Sequence, residues 1–151
     1  MIAAVQRAGI ADPWAHQAAV AERALDGQSV IVATGTSSGK SLAYLVPVLS
    51  SLLDGSEAPN GRGATALYLS PTKALAADQL RAVKELSAPL GNAVRPAVYD
   101  GDTPVEEREW VRQYANLVLT NPDMLHRGIL PSHPRWSSFL RALRYVVIDE
   151  S

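Results

Sequence analysis

The fold is decided by residues 29–41, which read SVIVATGTSSGKS. This stretch begins with a short apolar run, 29–33, that is typical of a strand covered on both faces of a sheet. A polar turn with two glycines follows, and residues 41–53 then show the apolar pattern of a helix. Strand, turn and helix in this order predict a phosphate-binding loop, because small residues let backbone N–H groups surround an anion at the helix N-terminus.

The side chains of this loop suit a nucleotide. Lys40 is placed to reach the terminal phosphates, and Ser41 is placed to hold Mg²⁺. The usual pattern asks for glycine five positions before Gly39, where Thr34 stands instead. The alternative interpretation is an ordinary glycine and serine turn with an exposed lysine. The candidate nucleotide-binding residues of the loop are Thr34, Gly35, Thr36, Ser37, Ser38, Gly39, Lys40 and Ser41.

The change from an apolar run to a polar turn recurs along the chain. Runs at 64–69, 116–119 and 145–148 each lead into polar residues, and a weaker run at 94–99 contains Pro96. Proline removes a ladder donor, so this last run is confined to a sheet edge or a bulge. The alternation of strands with helical patterns predicts an α/β fold with a mostly parallel sheet flanked by helices. The helical patterns lie at 15–25, 41–53, 74–86, 105–114 and 137–143.

Parallel strands end at one edge of their sheet, and folds of this kind bind ligands there. Five polar turns are therefore expected to converge. They are residues 34–41, 70–73, 100–103, 120–123 and 149–151.

The run 145–148 ends in two adjacent carboxylates, Asp149 and Glu150. Asp149 is a candidate Mg²⁺ ligand, and Glu150 is a candidate for orienting or deprotonating an attacking water. Lys40 and Glu150 are thus the candidate catalytic residues. The alternative is that the acidic pair only caps a helix N-terminus.

Composition narrows the class of protein. The chain has 151 residues, of which 47% are hydrophobic, enough for one domain with a real core. With 14 basic and 15 acidic residues the formal charge is −1, so any nucleic-acid binding must be local. The absence of cysteine excludes disulfides and thiolate metal sites. The longest apolar stretch, 42–53, is far short of the roughly 20 residues that span a bilayer, so a cytoplasmic protein with no membrane partner is expected.

Taken together, the phosphate loop and the acidic strand end resemble those of superfamily 2 helicases of DEAD/DEAH-box type. The likeness is greatest to RecQ-like repair DNA helicases, which often carry a C-terminal zinc-binding module, and it extends from about Ile10 to Glu150. The resemblance implies a RecA-like P-loop NTPase domain that binds ATP with Mg²⁺. It implies an ATP-dependent helicase that translocates on single-stranded DNA and unwinds duplex DNA, with DNA favoured over RNA.

Gln17 lies 23 residues before Lys40 and is similar to the family's Q motif. In that motif the glutamine amide reads the adenine edge, since one amide can both accept from the exocyclic amine and donate to the ring nitrogen. The alternative is a glutamine on a helix surface.

Three further stretches resemble the family's motifs that grip the sugar-phosphate backbone of one strand. They are SPTKALAADQ at 70–79, DGDT at 100–103 and TNPDMLH at 120–126. Hydroxyls, helix N-terminal amides and one lysine can contact phosphates without reading sequence. The alternative is ordinary helix capping, at Thr72 and Thr103 especially. The candidate nucleic-acid contacts are Pro71, Thr72, Lys73, Gly101, Asp102, Thr103, Thr120, Asn121, Pro122 and Asp123.

The resemblance also implies a second RecA-like domain that supplies arginine fingers, and no stretch of these residues matches it. The chain is therefore expected to be an incomplete first domain from a longer protein, inactive alone. In the family, the strand of the next motif separates the phosphate-loop strand from the acidic strand, so runs 29–33 and 145–148 are expected to lack a neighbour.

Two other functions remain open at this point: a small phosphate-loop kinase, and a module that binds nucleic acid or a partner without turnover. A group of basic residues near the end of the chain either extends a nucleic-acid path or forms a solvated face. Its members are His126, Arg127, His133, Arg135, Arg141 and Arg144.

Overall fold

The computed structural model describes residues 15–32, 40–55 and 63–149. Its helices are α1 (Ala15–Leu25), α2 (Lys40–Gly55), α3 (Lys73–Ser87), α4 (Val105–Tyr114), α5 (Pro122–Met124) and α6 (Ser137–Arg141). Its strands are β1 (Thr65–Leu69), β2 (Pro96–Val98), β3 (Leu117–Thr120) and β4 (Leu143–Ile148). A 3-10 turn (Ala88–Ala93) precedes β2, and a π-helical turn (Leu125–Ile129) and a 3-10 turn (Leu130–Ser132) follow α5.

The four strands are parallel and lie in one sheet in the order β2-β3-β1-β4. Helices connect them, so the predicted α/β fold with a parallel sheet is confirmed. β2 is an edge strand that begins at Pro96, as expected for a residue that cannot donate to a ladder. Helix α1 has the predicted bounds, and it stops before Gly27, whose φ of 81° is a left-handed conformation that glycine adopts without strain.

The core has two halves, one on each face of the sheet, and β1 contributes to both. Ala66 and Tyr68 pack with residues of α2 and α3, whereas Leu67 and Leu69 pack with residues of α4 and α6. This alternation follows from the period of two residues in a strand. All five residues of β1 are buried, which explains its continuous apolar sequence.

Asn116, just before β3, links that strand to the loop before β2 and to β1. Its side chain is fully buried, accepts from the backbone N–H of Arg95 at 2.7 Å and donates to the carbonyl of Ala93 at 2.8 Å. Its backbone carbonyl accepts from Ala66 N at 2.8 Å. The amide therefore supplies the hydrogen bonds that the loop before β2 would otherwise leave unmade.

The prediction of a strand at 29–33 is wrong for the residues that can be compared. Residues 28–32 have no strand pairing, and Ile31 is 94% exposed instead of covered on both faces. A strand is stabilised by hydrogen bonds to a neighbour, and no described strand pairs with this run. Ala33 lies outside the described residues.

Two other predicted elements differ in extent. β4 begins at Leu143, two residues before the predicted run 145–148. It pairs only with β1 among the described strands. Its side chains alternate between half-buried and exposed, with Val146 and Ile148 at 50% and 63% exposed. The helix predicted at 137–143 ends at Arg141, because β4 already begins at Leu143. No described helix is long and apolar enough to cross a membrane.

We predict that Asn116→Ala lowers the free energy of unfolding by about 2–4 kcal/mol. The substitution leaves the backbone N–H of Arg95 and the carbonyl of Ala93 without their hydrogen-bond partner. Urea denaturation measures this loss. The matched control is Asn92→Ala, at an exposed asparagine, which should change the value by less than about 0.5 kcal/mol. Equal losses for the two variants would contradict the role assigned to Asn116.

Candidate functional site

The polar turns that end the strands lie side by side along one edge of the sheet, here called the carboxyl edge. The strand order places residues 100–103, 121–123, 70–73 and Asp149 next to one another in that sequence. The predicted convergence is confirmed for these four turns. The fifth turn, 34–41, falls mostly outside the described residues.

Most of the predicted nucleotide site lies outside the described residues. Helix α2 begins at Lys40, so a helix does follow the phosphate loop directly. For Gln17, in α1, and for Lys40 and Ser41, in α2, only the backbone is described. Their roles stay predictions. Outside the described residues lie Thr34, Gly35, Thr36, Ser37, Ser38, Gly39 and Glu150.

Asp149 is held in place from β1. Its backbone N–H donates to the carbonyl of Leu69 at 3.1 Å, and its carboxylate oxygen Oδ2 accepts a hydrogen bond from the Tyr68 hydroxyl. Burial, and then the bond to this carboxylate, raise the pKa of Tyr68 above its usual value. The phenol therefore stays protonated and remains a donor. Because it bonds to Oδ2, the Oδ1 atom of Asp149 is available to a ligand.

Tyr68 is a site residue that the sequence analysis missed. Its ring packs against Tyr44 of α2 at 5.7 Å between centroids, so it belongs to the core as well as to the site. The available signal was a tyrosine in an otherwise apolar buried strand, because a buried phenol needs a hydrogen-bond partner.

The loop after β1 is shaped by its own hydroxyls. Ser70 Oγ donates to the carbonyl of Thr72 at 3.1 Å, and Thr72 Oγ1 accepts from Leu75 N at 3.2 Å as the N-cap of α3. The capping alternative is therefore correct for Thr72. A capping hydroxyl uses its acceptor and keeps its hydrogen, and both Pro71 and Thr72 are exposed.

Lys73 connects two of the predicted backbone-gripping loops. Its ammonium lies 2.7 Å from Asp102 Oδ2, and both side chains are exposed. The hydrogen bond to Asp102 and the charge of that carboxylate raise the pKa of Lys73. An exposed ion pair of this kind contributes little stability, so its partners remain free to exchange for another ligand.

The turn 100–103 is closed by its own polar groups. Thr103 Oγ1 accepts from Asp100 N at 3.0 Å, and Asp100 Oδ1 accepts from Asp102 N at 2.8 Å. Arg108 of α4 supports the turn from behind, since its Nε donates to the carbonyl of Thr103 at 2.9 Å. Gly101 and Asp102 are left exposed at the tip. The sequence analysis did not find Arg108, and a lone arginine in a helix gave no signal.

The loop after β3 is also held by hydrogen bonds from its own polar side chains to backbone atoms. Thr120 is buried and donates to the carbonyl of Tyr99 at 2.6 Å, whereas Asn121 Oδ1 accepts from Met124 N at 2.8 Å as the N-cap of α5. Pro122 and Asp123 are exposed. Thr120 therefore positions the loop, and the neighbouring residues present it to solvent.

Comparisons with known proteins agree with these observations. The family model for the DEAD/DEAH box helicase matches residues 14–151. The uncharacterized ATP-dependent helicase YprA of Bacillus subtilis is 42% identical over 148 residues, which are 98% of this chain and 19% of that protein. The ATP-dependent helicase hrq1 of Schizosaccharomyces pombe is 42% identical over 140 residues, which are 91% of this chain and 13% of that protein.

Among solved structures, the DUF1998 helicase MrfA bound to DNA and AMPPNP superposes with a TM-score of 0.84 at 40% identity. The superposition covers 97% of this chain and 20% of that one, and the chain spans about a fifth or less of the length of the curated relatives named above. These matches confirm the resemblance to RecQ-like helicases and the RecA-like fold. The chain belongs to the DEAD/DEAH box helicase family.

Proposed function

We propose that this chain is the ATP-binding part of an ATP-dependent DNA helicase, which translocates on single-stranded DNA and separates duplex DNA. The observation that carries the proposal is the position of β1. This strand holds Asp149 through Tyr68 and runs directly into the loop 70–73. One rigid strand thus joins the predicted nucleotide site to the predicted DNA site, as coupling of hydrolysis to movement requires.

The proposal includes a longer protein with a second RecA-like domain. The relatives named above are about five or more times longer than this chain, and they are called ATP-dependent helicases. Charge that develops on the γ-phosphate during hydrolysis is stabilised by cationic groups aimed at it. In the proposal the second domain supplies these arginines, whereas this chain supplies the phosphate loop and the acidic pair.

On the nucleotide side, Gln17 would read adenine, and residues 34–41 would surround the phosphates. Lys40 would place its charge on the terminal phosphates, and Glu150 would orient the attacking water. These assignments follow from the family pattern and from the start of α2 at Lys40.

The residues present also suit Mg²⁺. Asp149 offers a hard carboxylate oxygen held by Tyr68, and Ser41 would add a hydroxyl oxygen. The described residues contain no group of three or more metal-binding side chains, which is compatible with Mg²⁺ because this ion is usually held by one or two carboxylates together with phosphates and waters. When bound, the ion would neutralise charge on the phosphates.

On the DNA side, the three loops of the carboxyl edge would contact the sugar-phosphate backbone. Thr72 and Lys73 can donate to phosphates, and the exposed tip at Gly101 allows close approach of a strand. Lys73 would exchange Asp102 for a phosphate as DNA binds. The structure of MrfA bound to DNA and AMPPNP supports DNA over RNA as the partner.

Nothing in the comparisons favours a small phosphate-loop kinase or a module without turnover. Every relative named above is called a helicase, and the matched family is one of helicases. The proposal keeps the cytoplasmic location that is expected from the sequence.

We predict that Lys40→Ala in the full-length protein lowers ATP turnover by roughly 10²–10³-fold or more, because one cationic group aimed at the phosphates is lost. A coupled ATPase assay measures the change. Lys84→Ala, at an exposed lysine of α3, is the control and should hydrolyse ATP like the wild type. Equal turnover by the Lys40 variant and the wild type would remove the phosphate-loop assignment.

We predict that Gln17→Ala weakens ATP binding by about 1–3 kcal/mol and leaves GTP binding nearly unchanged, because the lost amide contacts are specific to adenine. Titration of both nucleotides decides between the alternatives. Gln28→Ala, at an exposed glutamine, serves as the control. Parallel losses for ATP and GTP would assign Gln17 a structural role.

We predict that Tyr68→Phe lowers ATPase activity or the apparent affinity for Mg²⁺ by about 10- to 100-fold, since residues that orient a metal ligand typically have effects of this size. Phenylalanine keeps the ring in the core, so the melting temperature checks the fold. Tyr114→Phe, at an exposed tyrosine, is the control. Unchanged Mg²⁺ dependence would show that Asp149 needs no support from Tyr68.

A further inference from the structure

A cavity of about 340 Å³ opens beside the loops of the carboxyl edge, next to the ends of β2 and β3. Tyr99, which precedes the turn 100–103, lies in its wall, as does Met124, the last residue of α5. No aspartate or glutamate is among the described residues that line it. Four arginines do line it, and together with Trp136 they are here called the arginine pocket: Arg108, Arg112, Arg127 and Arg135.

Most of this positive charge is not neutralised. Neither the Arg112 side chain nor the Arg135 side chain has a hydrogen-bond or ion-pair partner among the described residues. Arg127 lies 3.2 Å from Asp123, but both side chains are exposed, so this pair is weak. In a chain with a formal charge of −1, such a concentration of cations around one cavity favours an anionic ligand.

Arg108 connects the pocket to the turn 100–103. It donates to the carbonyls of Thr103, Asp100 and Gly101 at 2.9, 3.4 and 3.3 Å, and its guanidinium lies 5.7 Å from the centre of the Tyr99 ring. All of these partners are neutral, so the guanidinium is held in place without an acidic partner among the described residues. The bonds use Nε and Nη2, which leaves Nη1 able to donate to a ligand.

Trp136 supplies a second, independent observation at this cavity. Its side chain is 1% exposed, and its Nε1 is buried without any hydrogen-bond partner among the described residues. An indole nitrogen can only donate, and nearly all buried donors in native proteins have an acceptor. Trp136 lines the cavity, so this unpartnered donor belongs to a residue of the pocket wall.

We propose that the arginine pocket binds a phosphate group of the nucleic-acid strand after the strand has passed the loops of the carboxyl edge. Arginine forks match phosphate oxygens, which are also acceptors for an indole N–H. Continuity favours a strand over a free anion, because Arg127 follows the loop 120–123 by one helical turn and Arg108 holds the turn 100–103. This inference rests on the proposed function, and it adds a contact beyond the motif residues.

The test measures how tightly the full-length protein binds labelled oligothymidylate. Fluorescence anisotropy monitors the binding at several salt concentrations. The double variant Arg112→Gln, Arg135→Gln should bind about tenfold more weakly at moderate salt. For this variant, the slope of log affinity against log salt concentration should be smaller in magnitude by about 1. Each phosphate contact on a single strand contributes about 0.7 to that slope.

The matched control is Arg141→Gln, Arg144→Gln, which removes the same charge from exposed side chains outside the pocket. Its affinity should stay within about twofold of the wild type, since distant exposed charges are screened. Arg135→Gln alone, at an exposed side chain, should show the same direction of change with a smaller loss, which keeps the test valid if the double variant folds poorly.

Other outcomes of this experiment would contradict either the arginine pocket or the proposed function. Normal binding by the pocket variant, with weaker binding by Lys73→Ala, overturns the pocket and leaves the proposed function intact. Equal weakening by pocket and control variants also overturns it, because net charge alone then explains the loss. Binding of inorganic phosphate that the pocket variant loses, with unchanged DNA affinity, assigns the pocket to a free anion. No DNA binding by the wild type contradicts the proposed function itself.

Discussion

The hydrogen-bonded ladders on both sides of β1 are the constraint on which the rest of the structure depends. β1 pairs with β3 along one edge and with β4 along the other, and every one of its residues is buried. The register therefore sets where each neighbouring strand ends. Because all strands are parallel, it also sets which loops meet at the carboxyl edge and in which order.

This arrangement connects the two proposed ligand sites through β1. Tyr68 contacts Asp149 at the end of β4, and five residues later in the chain Lys73 contacts Asp102 in the turn after β2. A strand buried on both faces transmits displacement because the surrounding side chains are close-packed. Tyr68 and Lys73 thus belong to one continuous segment, which is buried as far as Ser70.

Electrostatics in this chain are local. The formal charge is −1, yet the arginine pocket gathers four cations at one end of the carboxyl edge, while Asp149 lies at the other end. Positive charge lies where a nucleic-acid backbone is proposed to run, and the carboxylate lies where Mg²⁺ and phosphates are proposed to bind. The composition alone conceals this separation, since the two signs cancel over the whole chain.

The sequence by itself determined the parallel α/β fold, because apolar runs of strand length alternate with helical patterns, and it determined the convergence of the loops, because parallel strands share one edge. It also placed Pro96 at an edge and offered capping as the alternative role of Thr72, since both depend only on local chemistry. The same alternative is wrong for Thr103, which closes the turn 100–103, while Pro104 is the N-cap residue of α4. It failed at 29–33, where a strand-like run has no described partner, because pairing is a property of two segments.

Only the tertiary structure decided the contacts between residues distant in sequence. Tyr68 and Asp149 are 81 residues apart, and Asn116 joins segments that precede it by more than 20 residues. Trp136 lines the same cavity as the arginines of α4 because β2 and β3 bring their following segments together. Such contacts depend on register and packing in three dimensions, and neither can be read from the order of residues along one chain.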